Sequence, residues 1–198
     1  MNIVSNYKYI LDAGHGGVAF GHYLTKGKRS PQVPPGIYEG DFNRKICSGV
    51  PKLLDGCLDV MQLNPGPVNI SLSSRVNYIN ELSALEKTIL VSIHANASPA
   101  KGWSSANGFV VFHSTNASNE SKELACIISD TMGKIVINSR GVKVSNFYIL
   151  RKTKCPAVLV ECGFMTNKEE AIMMNTLNGQ FFICRAIANA LRIFDKSL

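Results

Sequence analysis

One stretch near the amino terminus, residues 10–17, constrains the fold of this chain more than any other: it reads ILDAGHGG. The apolar run from Val4 to Leu11 has the length of a buried strand, and the glycines end it abruptly. His15 then lies just past the carboxyl end of that strand, where α/β sheets usually bind ligands. Because glycine-flanked histidines also occur as plain turn residues, this stretch alone leaves a ligand role and a turn role open.

Length and composition are typical of one globular domain with its own core. The chain has 198 residues, of which 45% are hydrophobic and 18% are charged, and this balance argues against extensive disorder. No apolar run approaches the roughly 18 to 20 residues of a membrane helix. Residues 1–8 also lack the basic start and apolar core of a secretory signal. We expect residues 1–198 to form a single domain with no transmembrane segment and no signal peptide.

The net charge of the chain bears on the class of partner that it binds. The net charge of +7 favours a polyanionic partner, such as nucleic acid, anionic lipid or an anionic cell wall, although a solvated basic surface is equally compatible with it. The sequence contains no RNA-binding aromatic motif and no helix-turn-helix pattern, so we expect no nucleic-acid partner.

The six cysteines form no C-x-x-C pair, so the sequence suggests neither a zinc ribbon nor a thioredoxin-type site.

Strand and helix patterns alternate along the chain. Apart from the opening strand, strands are predicted at residues 58–63, 88–94, 108–113, 147–150 and 157–160. Amphipathic helices are predicted at residues 39–54, 71–86, 118–136 and 177–194, and a further helix begins near residue 167. This alternation predicts an α/β fold, with a single, mostly parallel, twisted sheet of about six strands and helices on both faces. Residues 18–36 are rich in Gly, Pro, Lys and Ser and are predicted to form a long functional loop.

Three predicted strands end in a residue that can bind a metal or carry a proton, namely His15, His94 and Glu161. Glu39 opens the first helix. If the strands are parallel neighbours, their carboxyl ends meet at one edge of the sheet and these side chains converge. Two neutral imidazoles and one carboxylate form a hydrolytic zinc site with a fourth position for water, and the remaining glutamate can exchange protons. A helix-end interaction for Glu39 and a buried ion pair for Glu161 are the alternatives.

These residues belong to a set of motifs that spans nearly the whole chain. The motifs are LDAGHGG at 11–17, Glu39 with Asp41 and Asn43, Leu72 with Arg75 and Asn80, SIHANA at 92–97, RGVK at 140–143 and PAVLVECGF at 156–164. In order and spacing they resemble the zinc-dependent N-acetylmuramoyl-L-alanine amidases of the amidase-3 family, which occur as bacterial autolysins and phage endolysins. The resemblance implies that His15, Glu39 and His94 bind Zn²⁺ and that Glu161 is catalytic.

The implied reaction is hydrolysis of the amide between N-acetylmuramic acid and L-alanine of peptidoglycan by a zinc-activated water, which lyses the cell wall. We expect Asn96 and Arg75 to contact the substrate or support the ligands, and Asp12 to cap the glycine loop. A zinc peptidase that cuts within the stem peptide and a non-catalytic cell-wall binding module are the competing hypotheses. Cys162 and Ile79 depart from the usual family residues, but neither is a ligand position.

The resemblance also bears on control and location. Some family members insert a helical plug over the zinc, but the span after His94 is too short for one, so we expect an open site. Without a signal peptide, the enzyme would stay in the host cytoplasm until a holin-type partner opened the membrane, as phage endolysins do. A mother-cell lysis enzyme is the alternative. We expect a monomer with no separate cell-wall-binding domain. Residues 18–36 do not match the motifs of the family.

Overall fold

The protein is described by a computed structural model that covers residues 5–135 and 138–198. Its strands are β1 (Lys8–Ala13), β2 (Val18–Ala19), β3 (His22–Tyr23), β4 (Asp59–Gln62), β5 (Thr88–Asn96), β6 (Phe109–His113), β7 (Ser139–Val144) and β8 (Ala157–Phe164). Its helices are α1 (Glu39–Leu54), α2 (Leu72–Ser83), α3 (Asn119–Gly133), α4 (Tyr148–Lys152), α5 (Lys168–Asn175) and α6 (Leu177–Asp195). The predicted start of the first strand at Val4 and the predicted end of a helix at Val136 lie outside the described residues.

One six-stranded sheet forms the centre of the molecule, in the order β4-β1-β5-β8-β6-β7. Strand β1 pairs in parallel with β4 and β5, and β5 pairs in parallel with β8. Strand β6 runs antiparallel to β8 but parallel to β7. The predicted mostly parallel sheet of six strands is therefore confirmed. The three strands that carry the candidate site, β1, β5 and β8, are adjacent and parallel.

Apolar layers cover both faces of this sheet because side chains alternate between the faces along each strand. Tyr9 and Leu11 of β1 pack into the larger layer, which also contains the buried faces of α1, α3 and α6. Ile10, between them, packs into a smaller layer with residues of α2 and α4. Helices on both faces, as the alternating pattern predicts, are thus observed.

One predicted strand is wrong. Residues 147–150 were expected to be extended, but Tyr148–Lys152 forms helix α4, because periodicity alone cannot assign so short an apolar run. Ile149 and Leu150 are buried in the smaller layer. The sixth strand of the sheet is instead β7, which the sequence does not predict. Its sequence, SRGVKV, has no continuous apolar run, and four of its six residues are exposed, as is usual for a strand at the edge of a sheet.

Asn167 and Glu170 have the spacing of a capping box at the start of α5, and only half of that box is formed. The Asn167 side chain accepts hydrogen bonds from the backbone N–H groups of Glu169 and Glu170, both at 3.1 Å. The Glu170 carboxylate does not return to the cap. It accepts from the N–H groups of Gly108 and Phe164, at 2.7 and 2.6 Å, and so ties α5 to the ends of β6 and β8.

The cysteines are all free thiols, and Cys47, Cys162 and Cys184 are buried in the larger apolar layer. Burial raises the pKa of the Cys47 and Cys162 thiols well above the ordinary value, so both stay protonated and unreactive near neutral pH. Across the described ranges of the chain, none of the helices combines the length and the apolar character that crossing a bilayer requires.

Candidate metal centre

The carboxyl ends of three adjacent strands bring the predicted site residues together. His94 of β5 lies beside Glu161 of β8 in the sheet register. His15 follows the end of β1, whose last residue, Ala13, pairs with Ile93 next to His94. Glu39 is the first residue of α1 and is only 2% exposed. The convergence predicted from the strand ends is therefore observed for all four residues.

His15, Glu39 and His94 form a compact cluster of metal-binding atoms. Oε1 of Glu39 lies 3.0 Å from Nδ1 of His94 and 3.3 Å from Nε2 of His15. One potential ligand atom from each residue lies within 4.8 Å of the other two. The two imidazole rings are perpendicular, with centroids 5.2 Å apart. Three donors from three different elements thus face a common point.

The charge state of this cluster also suits a cation. Burial by itself would raise the pKa of Glu39, but the hydrogen bonds to His15 and His94 outweigh it and hold that pKa at about 2. Burial acts to lower the pKa of His94, but the hydrogen bond to Glu39 outweighs burial, so the pKa of His94 is raised. A buried carboxylate that stays ionised between two imidazole nitrogens is a donor set that fits Zn²⁺.

The backbone around His15 adopts an unusual conformation that presents its ring to the cluster. His15 itself has a φ of +65°, in the left-handed region that side chains other than glycine rarely occupy. The neighbouring glycine, Gly14, is required for a different reason. A Cβ atom there would lie 2.1 Å from Cε1 of His94, so the His94 ring packs directly against the Gly14 backbone.

Side chains of α1 hold this strained loop in place. The amide nitrogen of Asn43 donates to the carbonyl oxygen of Gly14 at 2.9 Å, and Nη2 of Arg44 donates to that of His15 at 2.8 Å. The Thr25 hydroxyl accepts from the N–H of Gly16 at 2.7 Å. Arg44 is not predicted from the sequence. Its signal there is a charged residue on the largely apolar face of α1, five residues after Glu39.

Glu161 lies beside the cluster without joining it. Burial raises the pKa of its carboxyl to about 7, His94 and Lys28 act to lower it, and Glu39 adds to the rise. Within the described part of the chain, its Oε2 atom is buried and has no hydrogen-bond partner. A carboxylate with a raised pKa and a free oxygen is able to exchange a proton near neutral pH.

These residues open into a cavity of about 530 Å³. One wall is apolar and consists of Ile70, Leu72, Phe147 and Tyr148, all of which are more than a third exposed. Leu72 lies on this wall because it starts α2 at the rim of the site. Asn96 lines the cavity at the end of β5, and its side-chain oxygen accepts from the N–H of Ala97.

Arg75 lines the base of the cavity rather than its rim. Its side chain is 2% exposed, and Nη1 donates to Oδ1 of Asp12 and to the carbonyl oxygen of Ala13, both at 2.7 Å. The second Asp12 oxygen accepts from the Ser92 hydroxyl at 2.7 Å. Asp12 thus pairs with Arg75 below the site instead of capping the glycine loop. The buried position of Arg75 favours a supporting role over the predicted substrate contact.

Residues 18–36, expected to be a long loop, have internal order. Strands β2 and β3 form a short hairpin. The Tyr23 ring then lies 4.6 Å from that of Tyr38, and the Tyr23 hydroxyl accepts from the N–H of Gly40 in the first turn of α1. The buried Ser30 hydroxyl accepts from the N–H of Ile37 at 2.9 Å. This segment therefore packs against the start of α1, next to Glu39.

Comparison with known proteins identifies what this chain is similar to. Residues 10–192 match the family described as N-acetylmuramoyl-L-alanine amidase. The uncharacterized protein YqiI of Bacillus subtilis is 30% identical over 184 residues, which cover 91% of this chain and 81% of that protein. The endolysin of Bacillus phage SPP1 is 31% identical over 170 residues, and the match covers 83% of this chain but only 57% of the endolysin.

A solved structure has the same fold over nearly its full length. The N-acetylmuramoyl-L-alanine amidase from Clostridium difficile 630 superimposes with a TM-score of 0.84 at 29% sequence identity, and the match covers 98% of each chain. The arrangement of strands and helices described above is therefore that of a known group of enzymes, matched both in sequence and in three dimensions.

Proposed function

The chain belongs to the N-acetylmuramoyl-L-alanine amidase family, and from that premise we propose that it hydrolyses the amide between N-acetylmuramic acid and L-alanine of peptidoglycan. The single observation that carries this proposal is the convergence of His15, Glu39 and His94 next to Glu161 at the floor of an open cavity. Such a site suits the hydrolysis of an amide, and the resulting loss of stem peptides would weaken and lyse the wall.

We propose that His15, Glu39 and His94 hold a zinc ion. Their donor set supports zinc, because imidazole nitrogens and carboxylate oxygens are its usual ligands in hydrolytic sites. Bound zinc supplies a Lewis acid that polarises the scissile carbonyl and makes water acidic enough to ionise at a pH of about 7. Glu39 is ionised and offers its carboxylate to the cation, and because the pKa of His94 is raised, binding of the cation would displace a proton from the cluster.

Glu161 is the proposed proton carrier. Its unpartnered Oε2 accepts a proton from the attacking water, and the protonated carboxyl then returns that proton to the departing nitrogen of L-alanine. Burial supports this role because it raises the pKa of Glu161 to about 7, so the group exchanges a proton readily near neutral pH. Within the described residues, this oxygen has no protein hydrogen bond to give up before it accepts one from the water.

The other predicted site residues take supporting roles in this proposal. Arg75 neutralises Asp12 and holds the carbonyl oxygen of Ala13, so it positions the end of β1 from which His15 extends. Asn96 lines the cavity and remains the proposed polar contact for the substrate, although its side-chain oxygen already accepts one backbone hydrogen bond. The exposed apolar wall gives the stem peptide a surface on which to lie.

Mass spectrometry of digested peptidoglycan tests the proposal directly. The expected products are an intact glycan and peptides that begin with L-alanine, and a chelator should abolish their release. Peptides that begin at a later residue of the stem would instead identify a zinc peptidase. Binding to sacculi with no release of peptide in the presence of zinc would identify a non-catalytic binding module.

The proposed place of action is the cell wall. The similarity to the endolysin of a Bacillus phage supports a lytic role that begins once a holin-type partner has opened the membrane. Action as a monomer belongs to the same proposal. Gel filtration and holin co-expression are the corresponding tests, and the net charge of +7 predicts wall binding that weakens with added salt.

A further inference from the structure

Most of the charged groups that line the cavity are paired with one another. Asp12 and Arg75 form a buried ion pair, and Glu39 bonds to both site histidines. Lys28 lines the same cavity, but in the described parts of the chain no carboxylate lies within 4.0 Å of its ammonium group. Lys28 is therefore a cation of the described lining that no direct ion pair occupies.

The backbone of Lys28 is fixed beside the reacting groups. Its carbonyl oxygen accepts a hydrogen bond of 3.0 Å from the N–H of Glu39, the first residue of α1. The positive charge of Lys28 is also close enough to Glu161 to oppose the rise in the pKa of that carboxyl. The neighbouring Lys26 is exposed and does not line the cavity. The position of Lys28 is thus specific within residues 18–36.

The substrate class carries a matching anion close to the bond that breaks. In peptidoglycan, L-alanine is followed by D-glutamate, which continues the stem through its side-chain carboxyl and leaves its α-carboxyl free or, in some walls, amidated. Consecutive Cα atoms are about 3.8 Å apart, so this α-carboxyl lies one residue beyond the scissile amide. A flexible lysine at the rim of the same cavity can therefore reach this carboxyl while the scissile amide lies at the cluster.

We propose that Lys28 is a specificity-determining residue that binds the free α-carboxylate of the D-glutamate next to L-alanine. This inference rests on the proposed function, since it names a substrate group at the same site. The ammonium of Lys28 forms an ion pair with the carboxylate. From an amidated stem it gains only a hydrogen bond to a neutral carbonyl oxygen. The protein therefore prefers walls whose stem glutamate is not amidated.

The size of the preference follows from the exposure of Lys28. Ion pairs at an exposed rim are weak because water screens them, so we expect a ratio of about two- to fivefold in kcat/KM. Most of the effect should appear in KM, because the pair forms in the bound substrate and does not change during bond cleavage. Added salt should reduce the ratio.

The test uses two soluble disaccharide tripeptides that differ only in whether the α-carboxyl of D-glutamate is free or amidated. The zinc-loaded protein and its Lys28→Gln, Lys28→Arg and Lys26→Gln variants are each assayed for kcat/KM on both substrates. The unaltered protein should favour the free acid. Lys28→Gln should remove the preference, whereas Lys28→Arg and the control Lys26→Gln should retain it.

Two results would overturn the inference. One is an unaltered protein that cleaves both substrates equally. The other is a Lys28→Gln variant that keeps the original ratio, whatever its absolute rate. Failure of the proposed function gives a different pattern: no product beginning with L-alanine from either substrate with the unaltered protein, which would overturn that function and this inference together.

Discussion

Nη1 of Arg75 lies 2.7 Å from Oδ1 of Asp12, and the two side chains form an ion pair that is almost completely buried beneath the metal-binding cluster. Removing one partner of such a pair leaves an uncompensated charge in the core. We expect Arg75→Met to lower the free energy of unfolding by about 3–5 kcal/mol. Urea denaturation measures this loss, and the double variant Asp12→Asn, Arg75→Met should recover part of it. Unchanged stability together with a raised KM would instead make Arg75 a substrate contact.

Zinc binding should depend on each residue of the cluster. We expect His94→Ala to weaken zinc affinity by more than the roughly 10- to 100-fold that loss of a supporting group costs, whereas His22→Ala, in the exposed hairpin, should have no effect. Zinc at about 1,000 times its Kd should add about 4 kcal/mol of stability to the unaltered protein. Metal titration and thermal denaturation check both points. A His94→Ala protein that binds zinc normally would contradict the proposed site.

Glu161 should be required for hydrolysis but not for metal binding. We expect Glu161→Gln to retain one zinc per chain and to lose about 10²- to 10⁴-fold in kcat, the range typical of a lost proton carrier. Glu169→Gln, an exposed glutamate on α5, is the matched control and should remain active. If Glu161→Gln loses its zinc, the residue is a ligand, and the proton-carrier assignment fails.

The rate of hydrolysis should fall in acid because the proton acceptor must be ionised. Burial raises the pKa of Glu161 to about 7 from an ordinary value of 4.5, and a bound cation opposes that rise. As the pH decreases through this pKa, the carboxylate is lost and kcat/KM decreases with it. We expect an acid limb between these two values in a pH–rate profile. A rate that stays constant from about pH 4 to about pH 8 would contradict a base role for Glu161.

Gly14→Ala should disturb the metal site more than the fold. The added Cβ would meet Cε1 of His94 at 2.1 Å, so the ring must move out of position. We expect a loss of zinc affinity and activity, measured by metal titration and by peptide release. Gly66→Ala is the matched control, because a Cβ at Gly66 meets no other atom within 4 Å. Equal effects of the two substitutions would show that the Gly14 contact is unimportant for the site.

The sequence predicts the site better than it predicts the edges of the fold. Buried parallel strands leave a strong apolar signal, so the ends of β1, β5 and β8 are predictable, and with them His15, His94 and Glu161. The edge strand β7 leaves none because its sequence, SRGVKV, has no continuous apolar run. The apolar pattern of α6 indicates its buried face only in part: Ile187, Leu191 and Phe194 are buried, whereas the apolar Phe181 is 46% exposed.

Long-range polar pairing is the other limit of prediction from sequence. Nothing near Arg75 in the sequence indicates that its charge is neutralised by an ion pair with Asp12, which lies 63 positions away. The same is true of Asn64, whose side-chain amide exchanges two hydrogen bonds with the backbone of Ala13 at the end of β1. Such contacts depend on the packed arrangement of strands and helices, which local periodicity does not contain.

Helix α1 carries Glu39 and also holds the His15 loop through Asn43 and Arg44. Two corners of the candidate metal site are therefore connected to one helix, although His15 also follows strand β1 of the sheet that contains His94. A small displacement of α1 would move Glu39 directly and would pull on the His15 loop through these two hydrogen bonds. The packing of α1 against the sheet therefore helps to set how closely the three donors surround a common point.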